Sequence, residues 1–257
     1  MELDLSALEA EADRVGLSGK GAGEPVWLGA GWRDRRGVAA HLDATLLKPE
    51  ATERQILELC DRAAGMNAAA VCVNPAWVGL ASRQLRGRSP VVAAVVDFPL
   101  GAGTTASRRT EARLSVLEGA RELDVVASLS LIKSGRWHEL FEDLRVVIAT
   151  GQPARTKVIL ETAALGQREI LRAALVARDA GAASVKTSTG FHPGGGATVE
   201  AVRWLRQAAG DRMGVKASGG IRTLAEAATM LAAGADRIGA SAIEALTTER
   251  FLGELLA

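Results

Sequence analysis

Eight short segments rich in apolar and β-branched residues alternate with longer helical segments between residue 38 and the end of the chain. Strands that alternate with helices favour a parallel α/β sheet, because a helical crossover returns the chain to the same edge. Eight such units within about 220 residues predict a closed (β/α)₈ barrel, a fold that typically takes about 250 residues. The predicted strands are Val38–Leu42, Ala69–Val73, Val91–Phe98, Leu123–Leu129, Lys157–Glu161, Ser184–Ser188, Gly214–Ser218 and Arg237–Ala240.

An open, doubly wound sheet is the structural alternative, because spacing along the chain does not show closure. The first 37 residues lack the alternating pattern, although Ser6 and Glu9 have the spacing of a capping box and predict a short helix. We therefore predict an N-terminal helical extension over 1–37 and a catalytic barrel domain over 38–257. The same capping spacing predicts the starts of two barrel helices, at Thr52 with Gln55 and at Thr223 with Glu226.

The charge balance and cysteine content narrow the setting in which the protein acts. The chain has 31 basic and 30 acidic residues, so no basic excess points to nucleic acid or to an anionic membrane surface. The first residues are acidic rather than basic, and no apolar run approaches the roughly 20 residues that span a bilayer. Two cysteines are too few for a disulfide framework, so we expect a soluble protein of the reducing cytoplasm.

A near-repeat of lysines is the most informative local feature. Val185–Ser188 (VKTS) and Val215–Ser218 (VKAS) lie one strand–helix unit apart. Because side chains alternate across a strand, Lys186 and Lys216 lie on the opposite face from the valines beside them. The face toward the helix layer of a barrel is apolar, so the valines belong there and both lysines point inward.

Two inward lysines on neighbouring strands suggest amine chemistry. Strands lie about 4.8 Å apart, and two ammonium groups that close disfavour each other's charge. Together with partial desolvation, this proximity lowers the pKa of a lysine from about 10.4 towards neutrality. A neutral amine is the nucleophile that forms a Schiff base with a carbonyl. The alternative is that each lysine is a structural cation paired with an acid inside the barrel.

Acidic residues in apolar strands supply the partners that such lysines need. Asp124 lies inside the fourth strand, where a carboxylate is costly without a partner. We interpret it as a general acid/base, the alternative being a carboxylate that only balances the lysine charges. Asp43 is interpreted as part of the supporting shell, and the role of Asp97 is left open.

The loops after the last strands predict a phosphate site, since glycine lets backbone N–H groups approach an anion and these loops bind phosphate in many barrels. Ordinary turn chemistry is the alternative, and Ser241 with Glu244 also fits a simple capping box. The predicted phosphate-binding residues are Thr189, Gly190, Gly219, Gly220, Gly239 and Ser241.

The remaining motifs give weaker indications of function. The three histidines are dispersed without metal-ligand spacing, and no dinucleotide-binding fingerprint is present, so we predict no metal and no cofactor. The cluster Arg108, Arg109 and Arg113 is interpreted as a solvated helix face.

Six segments between residues 41 and 241 form a recognisable series: Asp43–Pro49, Val71–Pro75, Phe98–Ala102, Lys157–Thr162, Val185–Phe191 and Gly214–Leu224. Together they resemble the deoxyribose-phosphate aldolase (DeoC) family. The resemblance implies a (β/α)₈ barrel and a cofactor-free class I aldolase that reversibly cleaves 2-deoxy-D-ribose 5-phosphate to D-glyceraldehyde 3-phosphate and acetaldehyde. It implies that Lys186 forms the Schiff base, that Lys216 perturbs this nucleophile and assists proton transfer, and that Asp124 is the proton donor and acceptor. Cys72 and Lys157 join Asp43 in the supporting shell.

The chain also departs from this family's pattern, and the departures bear on substrate preference. Ser128 replaces a common asparagine, Ala242 a second serine and Asp97 a usual glycine, and the loop around 192–196 has one extra residue. The expected partners are sugar phosphate and aldehyde substrates and further copies of the chain in a dimer or larger homo-oligomer. Two alternatives stay open: a Schiff-base aldolase of different substrate preference, and a non-catalytic sugar-phosphate-binding barrel.

Overall fold

The computed structural model describes residues 3–17, 35–243 and 246. In this part of the chain eight parallel strands pair in sequence order, and the eighth pairs with the first. The predicted (β/α)₈ barrel is therefore confirmed, and the open sheet is wrong. The strands are β1 (Leu42–Leu46), β2 (Ala70–Val73), β3 (Val91–Val96), β4 (Glu122–Val126), β5 (Arg155–Ile159), β6 (Ser184–Lys186), β7 (Gly214–Ser218) and β8 (Arg237–Ala240).

The first predicted strand was misplaced. Val38 and Ala39 end a short helix, and the strand begins at Leu42. The reason is that β1 has polar residues, Asp43 and Thr45, at its inward positions, so a search for a continuous apolar run selects the wrong segment. The predicted strands that became β3, β4, β5 and β6 also end two or three residues earlier than expected.

Helices connect the strands and form the outer layer. The predicted capping boxes at Thr52 and Thr223 are both present. The predicted cap Ser6 is wrong, because the first helix begins at Leu5 and the Asp4 carboxylate accepts a hydrogen bond from the Ala7 backbone N–H. The helices are α1 (Leu5–Leu17), α2 (Arg35–Ala39), α3 (Glu53–Gly65), α4 (Val78–Gln84), α5 (Thr105–Leu117), α6 (Leu129–Lys133), α7 (Trp137–Thr150), α8 (Gln167–Asp179), α9 (Val199–Ala209) and α10 (Leu224–Ala232).

The N-terminal helix α1 packs on α8 and, less extensively, on α9. Acidic residues of α1 pair with arginines of α8: Glu11 with Arg178 at 2.7 Å and Glu9 with Arg172 at 2.8 Å. Residues 18–34 of the predicted extension lie outside the described residues. The division into an extension and a barrel domain stays a prediction.

Two apolar layers separate the inside of the barrel from its outside. The larger layer lies between strands and helices and contains Val185 and Val215, as the alternation of side chains predicted. A small second cluster lies within the barrel, around Cys72, Ala93 and Val95. The rest of the interior is filled by charged side chains from β1, β4, β5, β6, β7 and β8. The charged side chains inside the barrel therefore lie close together along its axis, where each requires a partner of opposite charge.

The predicted solvated arginine cluster requires correction at Arg108, whose side chain is only 1% exposed. Its guanidinium donates to Asp97 at 2.7 Å, to Asp143 at 2.5 Å and to the backbone oxygen of Gly101. Arg109, by contrast, is exposed as predicted. Arg108 therefore ties the loop after β3 to helices α5 and α7. A charge pattern along the sequence does not show this, because the acids come from distant segments.

No helix in the described part of the chain is both long and apolar enough to cross a membrane.

Candidate active site

The two lysines of the near-repeat lie side by side inside the barrel. Lys186 on β6 and Lys216 on β7 occupy paired positions in the strand register. Both side chains are buried, and both amines donate to the same oxygen, Oδ2 of Asp124, at 2.9 Å from Lys186 and 2.8 Å from Lys216. The structure thus brings together the three residues that the resemblance assigns to catalysis.

The predicted supporting residues surround this trio. Lys157 Nζ donates to the other Asp124 oxygen at 2.9 Å, and Asp43 accepts from Lys216 at 2.5 Å. The Cys72 thiol faces Asp124 at 3.9 Å, a distance at which sulfur is a weak donor. Burial, together with the neighbouring Asp124 charge, raises the pKa of Cys72 to about 11, so the thiol is neutral at physiological pH.

Burial and charge pairing act in opposite directions on the two aspartates. Burial disfavours the charged form of each, but nearby cations reverse the effect. Lys216, Lys157 and Arg237 lower the pKa of Asp43 to about 2. Lys157, Lys186 and Lys216 hold the pKa of Asp124 well below its usual value. Both carboxylates are therefore ionised near neutral pH.

The acidic neighbours of Lys216 decide the direction of its pKa shift. Burial would lower the pKa of this lysine, but the carboxylates of Asp124 and Asp43 outweigh burial and raise it. The pKa of Lys157 is raised in the same way, against burial, by its acidic neighbours. A pair of adjacent amines alone does not decide which one is neutral, because the acids between them must be counted as well.

Two members of the network were missed in the sequence. Glu122, two residues before Asp124 on β4, accepts from Lys157 at 2.5 Å, and Arg237 on β8 donates to Glu122 at 2.7 Å. The period of two along each strand is the signal that could have found them. Glu122 shares the inward face of β4 with Asp124, and Arg237 shares the inward face of β8 with Gly239.

A cavity of about 360 Å³ opens at the carboxyl ends of the strands, above Lys186. This size lies within the range of small-molecule sites. Lys186 reaches it, and so do all six predicted phosphate-binding residues. Lys48 and Arg222, which the sequence reading did not select, add cationic side chains to its wall. The six are Thr189, Gly190, Gly219, Gly220, Gly239 and Ser241.

Close backbone approaches shape the wall of this cavity. A Cβ atom at Gly196 would lie 2.1 Å from the backbone oxygen of Gly219, and one at Gly219 would lie 3.2 Å from Gly190. The Ala197 backbone N–H donates to Gly219, which joins the loop after β6 to the loop after β7. A side chain at Gly239 would meet the Lys216 stem at 3.0 Å. Glycine is therefore required by packing at these positions.

The predicted contact Thr189 has its hydroxyl already engaged. Its Oγ1 donates to the buried Glu161 carboxylate, and the Thr189 backbone N–H donates to the same group at 3.2 Å. The Phe191 backbone N–H in turn donates to Thr189 Oγ1 at 3.1 Å. Thr189 thus fixes the loop after β6. The predicted Ser241 lines the cavity and is exposed, whereas its capping partner Glu244 lies outside the described residues.

Two aromatic rings stand beside the nucleophile candidate. The Lys186 amine lies 6.0 Å from the ring centre of Phe98, within the range of a cation–π contact. Phe98 meets Phe191 edge to face at 5.3 Å. Asp97, just before Phe98, has φ of +53°, a left-handed conformation that glycine adopts more readily than other residues. Phe98 is therefore the ring that faces the amine, and Phe191 packs against this ring from the loop after β6.

Among residues 3–17, 35–243 and 246, no group of three or more His, Cys, Asp or Glu side chains is arranged to hold a metal ion. The predicted nucleophile, the Lys186 amine, lies in direct contact with a carboxylate, Asp124, the type of group that can act as a proton donor or acceptor.

Comparison with known proteins agrees with this chemistry. The family model for the DeoC/LacD family aldolase matches residues 38–245. Deoxyribose-phosphate aldolase of Staphylococcus epidermidis is 45% identical over 201 residues, covering 78% of this chain and 91% of that protein. The enzyme of the same name from Caldanaerobacter subterraneus is 46% identical over 209 residues, covering 80% of this chain and 90% of the relative.

A solved structure shares the whole architecture. The tetrameric deoxyribose phosphate aldolase from Aeropyrum pernix is 28% identical, with a TM-score of 0.77 over 98% of this chain and all of the other. The family match covers most of the chain and includes every strand of the barrel together with the lysines and acids inside it. The chain therefore belongs to the DeoC/LacD family of aldolases.

Proposed function

We propose that this protein is a class I aldolase that reversibly cleaves 2-deoxy-D-ribose 5-phosphate into D-glyceraldehyde 3-phosphate and acetaldehyde. The observation that carries the proposal is the buried Lys186 amine, 2.9 Å from the Asp124 carboxylate and open to a cavity lined by glycine-rich loops. An amine beside a proton-transfer group is the arrangement that Schiff-base chemistry requires. The names of the relatives support the choice of substrate.

In the cleavage direction, the neutral Lys186 amine adds to the C1 carbonyl of the open-chain sugar. The carbinolamine accepts a proton on its oxygen and loses water, which leaves a protonated imine. The C3 hydroxyl then gives up its proton while the C2–C3 bond breaks, and the bonding electrons move into an enamine. Glyceraldehyde 3-phosphate departs, the enamine takes a proton at C2, and water releases acetaldehyde and the free amine.

Asp124 suits the proton transfers in this sequence. Its Oδ2 contacts Lys186 at the mouth of the cavity, so a proton can pass between the two groups without crossing bulk water. Lys216 is held by Asp43 as well and keeps its proton, which makes it a cation beside the reacting centre. A fixed positive charge there stabilises the developing negative charge on the carbinolamine oxygen. These roles assign acid/base work to Asp124 and electrostatic work to Lys216.

The phosphate of the substrate is assigned to the loops that follow β6, β7 and β8. Backbone N–H groups of Gly219 and Gly220, at positive φ, offer donors without a side chain in the way. Helix α10 follows this loop, and its N-terminus adds a favourable dipole. Gly190, Gly239 and Ser241 complete the predicted contacts, with Thr189 holding the loop in place.

Gly196→Ala is expected to raise KM for the phosphorylated substrate by roughly tenfold or more, since 1.4 kcal/mol of lost binding already corresponds to tenfold. The added methyl group would collide with the Gly219 backbone and push the β7 loop away from its position. Steady-state kinetics measure the change. Gly65→Ala, at a helix end where nothing lies within 4 Å, is the matched control and should leave KM unaltered. Equal effects of the two substitutions would contradict the assignment of this loop.

Borohydride reduction in the presence of acetaldehyde tests the proposed chemistry directly. Reduction of the imine leaves an ethyl group on the nucleophilic lysine, and mass spectrometry of peptides should locate it at Lys186. A non-catalytic barrel would bind sugar phosphate but form no adduct. An aldolase of different substrate preference would form an adduct with other aldehydes and turn over deoxyribose phosphate poorly. The single serine of the β8 loop, Ser241 followed by Ala242, is the feature that favours this second candidate.

Assembly and location are part of the same proposal. The Aeropyrum pernix structure is described as tetrameric, and we infer that this chain also forms a homo-oligomer. The two cysteines, Cys60 and Cys72, are free and buried, which fits a reducing compartment such as the cytoplasm.

A further inference from the structure

A chain of ion pairs runs along the barrel interior, away from the substrate cavity. From Lys186 it passes to Asp124 at 2.9 Å and, through the other oxygen of that carboxylate, to Lys157 at 2.9 Å. Lys157 then donates to Glu122 at 2.5 Å, and Glu122 accepts from Arg237 at 2.7 Å. Every link is a charge-assisted hydrogen bond.

The far end of this chain lies at the amino-terminal end of the barrel. Glu122 and Arg237 are the first residues of β4 and β8, and both line a second cavity of about 610 Å³ that opens there. Arg237 is 20% exposed, whereas Asp124 is fully buried. Both residues are therefore remote from the substrate cavity and yet joined to the Lys186 amine. Glu122 is joined through Lys157 and Asp124, and Arg237 is joined through Glu122 and the same two residues.

The charges in the network do not balance when every group is ionised. Three carboxylates face three ammonium groups and one guanidinium, which leaves one excess positive charge within the network. The buried Glu161, which follows β5, accepts hydrogen bonds from Thr189 and belongs to none of these ion pairs. The strands β2 and β3 add no charge at neutral pH, since the inward side chains are the neutral Cys72 thiol and apolar residues. The charged groups are Asp43 (β1), Glu122 and Asp124 (β4), Lys157 (β5), Lys186 (β6), Lys216 (β7) and Arg237 (β8).

Loss of one proton relieves the excess, and the contacts indicate which group loses it. Arginine does not deprotonate in proteins. Lys216 contacts both Asp43 and Asp124, and Lys157 contacts Glu122 and Asp124. Lys186 contacts one carboxylate and opens to the substrate cavity. It is the lysine whose proton is held by the fewest acids.

We propose that Glu122 and Arg237 are positioning residues that set the pH at which Lys186 becomes a free amine, acting through the charge balance of the Lys157–Asp124 ion pairs. This inference rests on the proposed Schiff-base function, because it concerns the same amine. Glu122 and Arg237 would thus affect catalysis from the amino-terminal end of the barrel, opposite the substrate, where residues usually contribute to stability.

Two substitutions of opposite charge test the inference. Glu122→Gln keeps shape and hydrogen bonding but raises the excess to two positive charges. The acidic limb of the pH profile for imine trapping and for kcat/KM should then move down by about one pH unit. Arg237→Met removes the excess positive charge, so the acidic limb of the same pH profiles should move up by about one pH unit. KM for the sugar phosphate should stay within about twofold in both variants, since neither residue reaches the substrate cavity.

Arg155→Met is the matched control. Arg155 begins β5, is exposed and lines the same amino-terminal cavity, but it belongs to none of the ion pairs described for the network. Its pH profile should match that of the wild-type protein. Shifts of the same sign in Glu122→Gln and Arg237→Met, or an unmoved limb in Glu122→Gln, would overturn the inference. Absence of any ethyl adduct in the wild-type protein would instead overturn the proposed function, and this inference with it.

Discussion

Lys186→Ala is expected to abolish the ethyl adduct and to lower turnover of deoxyribose phosphate by about 10⁴-fold or more, because loss of a covalent nucleophile costs about 10⁴- to 10⁶-fold in other enzymes. The neighbouring amines cannot replace it. Lys216 is held between Asp43 and Asp124, and Lys157 is buried among acids below the cavity. Trapping with acetaldehyde and borohydride, followed by peptide mass spectrometry, measures the adduct.

The fold should survive this substitution. Asp124 keeps two cationic partners after the change, Lys157 at 2.9 Å and Lys216 at 2.8 Å, so no buried carboxylate is left without a partner. Circular dichroism and thermal unfolding check that the variant is folded. Lys48→Ala is the control, because this exposed lysine lines the same cavity and should retain the adduct at Lys186. Turnover that persists in folded Lys186→Ala would refute the assignment of the nucleophile.

Asp124→Asn is expected to lower kcat by roughly 10²- to 10⁴-fold, the usual contribution of a positioned acid or base. The amide has the same shape but cannot carry a proton between the lysines and the substrate. Imine formation at equilibrium requires only the amine, so the final yield of trapped adduct should fall much less than turnover. Stopped-flow or initial-rate kinetics, compared with long-incubation trapping, separate the two effects.

Asp43→Asn is the matched control for this prediction. Asp43 is a buried carboxylate of the same network, so its substitution removes the same charge. It contacts Lys216 and not Lys186, and it therefore tests the charge change without removing the acid beside the nucleophile. We expect a much smaller fall in kcat than for Asp124→Asn. Equal falls would mean that Asp124 acts only through its charge.

Much of this site could be predicted from the strand periodicity. The alternation of side chains placed Lys186 and Lys216 inward and their valines outward, and the structure confirms both. The glycine loops after β6, β7 and β8 lie together at one cavity because parallel strands share one carboxyl-terminal end. These features follow from the alternation of side chains along each strand and from the parallel direction of the strands.

Errors arose where a residue's partner is distant in sequence. The sequence pattern predicted that Arg108 lies on a solvated helix face, but its side chain is buried and paired with Asp97 and Asp143. The first strand was misplaced for another reason. The inward residues of β1 are polar, and the neighbouring segment at Val38 is more apolar, so the apolar pattern favoured the wrong segment.

The sequence by itself determined the eight-unit alternation, the inward face of each strand and the lysine pair, because these follow from a side-chain period of two. Only the tertiary structure decided that one carboxylate, Asp124, lies among three amines, and that Glu122 and Arg237 complete the charge count. The physical reason is that the sheet closes into a barrel. When β8 pairs with β1, charges from six strands converge on one buried axis, and the protonation of each then depends on all the others.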